Sequence, residues 1–347
     1  HFNIQKHHTM HHHPCNRKPI TVVSFFLFLL YLNLLEARNP SQFTINPSHD
    51  VVNIPEIRRH LHRFGYLPRN NNDSDAVSFE QALSRYQKNL GLPITGKPDS
   101  DTLSHILLPR CGFPDDVEPK TTAFHTGQKY VYFPGTPRWT RDIPLKLTYA
   151  FSQENLTPYL TPTEIRRVFR RAFGKWASVI PVSFIETEDY VIADIKIGFF
   201  GGDHGDGEPF DGVLGVLAHT FSPENGRLHL DKAETWAVDF DKETSTVAID
   251  LESVAVHEIG HVLGLGHSSV KDAAMYPTLK PRSKKVNLYI DDVVGVQSLY
   301  GTNPNFTLSG LLASETSTNL ADGTMIRSEG LIYSTLSTVF VLGLLHF

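Results

Sequence analysis

The sequence predicts an α+β protein, a small module of three helices followed by a larger domain in which a sheet carries two or three more helices. Three observations lead there. Apolar residues recur at helical spacing between Val51 and Leu108, a proline- and glycine-containing stretch follows, and from Leu145 onward short strands surround one long amphipathic helix. No nucleotide-binding glycine pattern accompanies the strands. The 347 residues, 40% hydrophobic and 20% charged, suffice for one or two domains with cores of their own. A formal charge of −5 with both signs dispersed leaves no basic stripe, which argues against nucleic acid as a partner.

Taken in chain order, Met10 is the first plausible start, and six of the 18 histidines precede residue 14 in a low-complexity tract. Arg17 and Lys18, the apolar run Ile20 to Leu35 and the small residue of Leu35-Glu36-Ala37 have the order of a signal peptide, assigned to residues 10–37. Secretion is expected. Cys15 leaves with that segment, so Cys111 has no internal disulfide partner in the mature chain. Ile54, Ile57, Leu61 and Phe64 form one helical face and Phe79, Leu83, Tyr86 and Leu90 another, which Gly91 and Pro93 end. Ser100 is the expected cap of a third helix through Leu103, Ile106 and Leu107. Pro109 to Tyr130 reads as an exposed, protease-accessible linker, so residues 38–129 form a propeptide-like unit and 130–302 the second domain.

In that domain, strands are expected at Leu145 to Phe151, Ala193 to Phe200, Val213 to Phe221 and Arg227 to Asp231. A helix is expected from Pro162 to Val179, with Ile165, Val168, Phe169, Phe173 and Trp176 on its inner face. Beyond it, residues 303–347 carry small residues from Ala313 to Gly323, a polar spacer and an apolar tail from Leu331 to Phe347. That is the arrangement of a glycolipid (GPI) anchor signal, implying attachment to the outer membrane face. Asn72, Asn155 and Asn305 open N-x-S/T triplets, which suit the secretory route.

The chemistry concentrates in His257-Glu258-Ile259-Gly260-His261-Val262-Leu263-Gly264-Leu265-Gly266-His267. Histidines four apart stand on one helix face, so His257 and His261 can meet one Zn²⁺. Gly264 permits a backbone conformation other residues resist, letting His267 swing round as a third ligand. Three protein ligands leave one position open, the mark of a catalytic zinc. Glu258, beside the metal, can take a proton from the attacking water and pass it to the leaving amine. Chance yields five such fixed residues in roughly a few chains per ten thousand.

Followed by Ala274-Met275-Tyr276-Pro277, this motif resembles the metzincins. Ser268 and the upstream Pro109-Arg110-Cys111-Gly112-Phe113-Pro114-Asp115 are similar to the matrixin (matrix metalloproteinase) branch. The resemblance spans about residues 50 to 302. It implies a metzincin-type domain, a twisted mixed sheet with three helices, behind a peptidoglycan-binding-like helical prodomain. It also implies a secreted zinc endopeptidase of extracellular or cell-surface proteins, made as a zymogen. Met275 would floor the site, and Cys111 would hold the zinc's fourth position until an activating protease cuts the linker.

Two further sites follow from the same resemblance. His204, Asp206, His219 and His229 match a closed structural zinc site. Asp211, Asp231 and Glu234, with backbone carbonyls of Gly212, Leu214 and Val216, match a Ca²⁺ loop. A shortened turn with Arg227 and Lys232 speaks against additional calcium sites, since Asp194 alone is insufficient. Substrate is expected to lie extended along Val216 to Ala218. With no haemopexin-like propeller after Tyr300-Gly301, the arrangement looks like plant matrixins. The rival reading is an anchored polymer-binding module with a vestigial metal site, and an intact Glu258 argues against it.

Overall fold

The computed structural model describes residues 54–68, 78–115, 129–141 and 144–309. The expected signal peptide, Asn72, residues 116–128 of the linker and residues 310–347 of the anchor signal lie outside the described residues. Among those described, no helix is long and apolar enough to cross a membrane.

The expected three helices are α1 (Ile54–Arg63), α2 (Phe79–Asn89) and α3 (Ser100–Ile106). Leu61, Phe64, Leu83, Tyr86 and Leu90 pack between them as their spacing requires. Ser78 and Gln81 cap α2 reciprocally. The cap of α3 is one residue earlier than expected. Asp99, not Ser100, accepts from the Thr102 amide at 2.9 Å and from its hydroxyl at 2.7 Å, because only the preceding residue has the extended backbone that aims a side chain at the third amide.

The second domain is built on a six-stranded sheet of β1 (Arg110–Cys111), β2 (Leu145–Phe151), β3 (Val182–Glu186), β4 (Ile195–Phe200), β5 (Val216–Thr220) and β6 (Arg227–Asp231). Their order is β1-β5-β6-β4-β2-β3, and only β5 and β6 pair antiparallel. Trp236–Ala237 and Ile249–Asp250 form a separate two-stranded pair, β7 and β8. The sequence reading missed β3 and extended β5 too far. Gly212 and Leu214 have φ of +92° and +63°, so the chain turns there before it can enter the sheet.

Three helices cover this framework, as the resemblance implied: α4 (Pro162–Val179), α5 (Leu251–Val262) and α6 (Ile290–Tyr300). A Thr161–Glu164 capping box starts α4. Trp176, fully buried, donates its indole N–H to the Val256 carbonyl at 2.9 Å and so ties α4 to α5.

One expectation is overturned. The segment after Pro109 does not begin as an exposed linker, since Arg110 and Cys111 are 2% and 4% exposed and run parallel to β5 at the sheet edge. The Arg110 amide donates to the Gly215 carbonyl at 3.0 Å and the Gly112 amide to the Ala218 carbonyl at 2.8 Å. A two-residue strand has no alternation to betray it, and its Pro and Gly neighbours read as loop.

The helical module also bonds to the second domain through a buried polar chain. The Tyr276 hydroxyl donates to the Leu90 carbonyl at 3.0 Å, so it accepts from His105 Nε2 at 2.7 Å, which leaves His105 Nδ1 to accept from Tyr86 at 3.0 Å. Burial first, and the Arg110 charge next, lower the His105 pKa to about 4 and that of neighbouring His60 to about 3. Both are neutral when folded and titrate near 6.5 when unfolded. Their contribution is therefore complete above pH 6.5 and is lost as pH falls toward 4, by up to about 1.4 kcal/mol per pH unit for each histidine. Urea unfolding at pH 7.5, 5.5 and 4.5 should show that decline. His105→Leu should flatten its share while costing about 1–3 kcal/mol at pH 7.5, because it strands the Tyr86 hydroxyl.

Candidate metal centres

Helix α5 brings His257 and His261 onto one face, and Gly264 ends it at φ +104°. A Cβ at 264 would lie 2.4 Å from the Pro137 carbonyl, so only glycine lets the chain turn here to carry His267 back. The three Nε2 atoms converge: His261 stands 3.1 Å from His257 and 3.3 Å from His267. Each Nδ1 donates elsewhere at 2.7 Å, to the carbonyls of Ala274 and Leu265 and to Asp115 Oδ1 respectively for His257, His261 and His267. Three lone pairs therefore face one another, an arrangement that repels unless a cation lies among them. Nitrogens about 2.0–2.1 Å from one tetrahedral ion stand roughly 3.3 Å apart, so the residues fit zinc. Cys111 Sγ completes the set 3.4 Å from His261 Nε2.

The electrostatics agree with that assignment. Burial lowers the pKa of all three imidazoles, keeping them neutral as ligands must be. It pushes the Cys111 thiol up, a penalty that a cation in its midst reverses. Burial alone would also raise Asp115, but Arg110 at 2.5 Å and His267 hold its carboxyl low.

Beneath the histidines lies Met275, fully buried. A Cβ on Gly260 would come within 2.2 Å of its sulfur, so helix and turn approach too closely for any side chain at 260. Asp292 fastens this turn by accepting from the amides of Ala274 (2.8 Å), Met275 (3.0 Å) and Tyr289 (2.7 Å). Glu258 points beside Cys111. Its Oε2 accepts from the Thr220 hydroxyl at 2.6 Å, whereas Oε1 is buried with no partner. Burial raises its pKa to about 7, against the Thr220 bond. A carboxyl so poised, with one free oxygen, can exchange a proton near neutral pH.

The second cluster forms where β5 and β6 pair His219 with His229. Asp206 Oδ2 lies 2.8 Å from His219 Nε2, 2.8 Å from His229 Nδ1 and 2.9 Å from His204 Nε2. These four side chains can hold one ion and leave no position open. Next to it, Asp211, Asp231 and Glu234 gather around the loop that contains Gly212, Leu214 and Val216. The amides of these three residues donate to Asp231 (3.1 Å), Glu234 (2.7 Å) and Asp211 (2.7 Å). Glu234 Oε2 is buried and unpartnered, and burial raises that pKa to about 8. Asp231 and Glu234 are thus two buried carboxylates side by side, while Asp211 is partly exposed. Arg63 of α1 reaches Asp211 Oδ2 at 2.8 Å.

Residues 138–301 match the matrixin peptidase family, and residues 52–106 match a putative peptidoglycan binding domain. The chain is 85% identical over 341 residues to metalloendoproteinase 4-MMP of Arabidopsis thaliana, covering 97% of this chain and 99% of that one. The chain belongs to the matrixin family. It is likewise 56% identical to Arabidopsis metalloendoproteinase 1-MMP, over 77% of this chain and 74% of the relative. With human neutrophil collagenase it shares 36% identity over 81% of this chain and 55% of the relative. This matrixin is thus a metalloendopeptidase with a zinc-type site of three histidines and one cysteine.

Among the described residues Cys111 with His257, His261 and His267, and His204 with Asp206, His219 and His229, come together as two groups that could hold a metal ion, whereas Asp211, Asp231 and Glu234 do not form a third. The sequence reading left Asp115, Thr220 and Asp292 without roles, because each acts across the fold and only Asp115 lies within a recognisable motif. Gly264→Ala in this matrixin should cost about 3 kcal/mol from backbone strain and crowding. It should also displace His267, so thermal melting together with zinc analysis of the purified full chain is expected to show both losses.

Proposed function

We propose that the chain is a secreted zymogen whose own cysteine blocks the zinc, and that once released it cuts extracellular or cell-surface proteins. The observation that carries this reading is that one short segment does two things. Cys111 Sγ joins the three converging Nε2 atoms while Arg110 and Cys111 pair with β5, along which an extended substrate would lie. A prosegment held so fills the metal's open position and the substrate's strand together.

In this reading His257, His261 and His267 hold the catalytic zinc over Met275. His204, Asp206, His219 and His229 hold a structural zinc. Asp211, Asp231 and Glu234 hold calcium, with backbone oxygens of Gly212, Leu214 and Val216. A bound catalytic zinc supplies Lewis acidity that polarises the scissile carbonyl and acidifies the attacking water. Glu258 takes the water's proton on Oε1 and delivers it to the leaving amine, while Thr220 keeps Oε2 in place. Asp115 leaves with the prosegment, freeing His267 Nδ1. The leader at 10–37 directs secretion, the tail at 303–347 a lipid anchor, and a second protease cuts the linker.

The test uses a quenched peptide and the full chain before and after limited proteolysis. Unprocessed protein should be latent, processed protein should cut, and a zinc chelator should stop it. Cys111→Ser should make the unprocessed chain active. Glu258→Gln in processed protein should lower kcat by about 10²–10⁴ while zinc content stays unchanged. If Glu258→Gln cuts as well as the wild type, Glu258 is not the proton carrier.

A further inference from the structure

The buried polar chain that joins the helical module to the second domain includes one titratable ring outside both metal clusters. His105, on α3, is 8% exposed and both of its nitrogens are committed. Nε2 donates to the Tyr276 hydroxyl at 2.7 Å, because that hydroxyl donates onward to the Leu90 carbonyl, and Nδ1 accepts from Tyr86 at 3.0 Å. Tyr276 belongs to the turn that carries Met275, and Cys111 follows His105 by six residues. One ring therefore ties the module to the floor of the metal centre a short stretch upstream of the thiol.

The surroundings disfavour a second proton on that ring. Nδ1 is the acceptor of the Tyr86 hydrogen, so an imidazolium would set a donor against a donor. Around it stand Tyr86 of α2, Tyr276, Arg110 and Asp115 from the segment around Cys111, and Lys271 and Lys280 from either side of the Met275 turn, with His60 of α1 beside the same charges. Of these only Asp115 favours a cation, and Arg110 already pairs with it at 2.5 Å. His60 packs against Phe64 and Tyr86 inside the module, whereas His105 faces the junction and loses its cover when Tyr276 is left behind.

We infer that His105 is an acid-operated release for the helical module, and that its protonation loosens Cys111 from the three histidines before any cut in the chain. The inference rests on the reading of Cys111 as the blocking ligand. A proton on Nδ1 strands the Tyr86 hydrogen and adds a cation beside Arg110, while a ring freed into water accepts it without either cost. Burial first, then Arg110, lowers the pKa of docked His105 to about 4, against about 6.5 for a free ring. The hold is thus complete above pH 6.5 and weakens as pH falls toward 4. By linkage this difference shifts the undocking equilibrium up to about thirtyfold between pH 7.5 and pH 5.

Thiol labelling of the uncut, zinc-loaded full chain at pH 7.5 and pH 5 tests this. Dithiodipyridine reacts with thiols across that range, and mass spectrometry of the peptide containing Cys111 gives the rate. Each rate is divided by that of the urea-unfolded chain at the same pH, which removes the chemistry of the thiol itself. His105→Gln keeps an amide donor for Tyr276 and a carbonyl acceptor for Tyr86 but takes up no proton. From pH 7.5 to 5 the normalised rate should rise about tenfold more in wild type than in His105→Gln, since protonation of the metal ligands loosens both alike. Equal rises in the two overturn the inference. Should His105→Gln fail to fold, His105→Asn is read with the same two outcomes. Wild-type Cys111 that labels at pH 7.5 as fast as in the unfolded chain overturns the zymogen reading itself, a result distinct from slow labelling that acid speeds equally in both proteins.

Discussion

Three buried imidazole nitrogens, those of His257 and His267 lying 3.1 and 3.3 Å from that of His261, are the constraint on which the rest of the structure depends. Such a cluster is unfavourable until a cation joins it, and in this structure every ring is also held from behind. The locks are two backbone carbonyls and one carboxylate, each 2.7 Å from an Nδ1. Those partners come from three places: the turn after α5, the Met275 turn and the prosegment. The metal centre thus joins segments far apart in sequence, and its geometry is a condition on all of them.

The surrounding packing follows from that condition. Gly260 carries no side chain because the Met275 sulfur lies against α5, and Gly264 ends the helix where Pro137 leaves no room for a Cβ. Asp292 gathers three amides that would otherwise be buried without acceptors, which holds the Met275 turn at the right height under the rings. Trp176 supports the same helix from the side by bonding Val256. These contacts fix the helix and the turn around the cluster from several sides.

The segment around Cys111 enters this scheme as a member of the cluster and as a strand. Its Asp115 neutralises Arg110 and orients His267, while the helices behind it dock through His105 on Tyr276, a residue that also lines the pocket beside His257 and Glu258. The hold of this segment on the second domain is therefore spread over a thiol, a strand edge and a buried hydrogen-bond chain. Arg63, reaching from α1 to Asp211, adds a fourth contact at the acidic loop.

The sequence alone determined whatever depends on short-range periodicity and ligand chemistry. The three leading helices, the long helix with Trp176, and the spacing of His257, His261 and His267 around Gly264 all follow from residues a few positions apart. Only the tertiary structure decided the rest. β1 is two residues long and exists because β5 offers an open edge. Thr220 meets Glu258, Asp115 meets His267 and His105 meets Tyr276 across separations no local pattern records. Side chains that act through a hydrogen bond across the fold leave no period in the sequence, since their partners are chosen by packing.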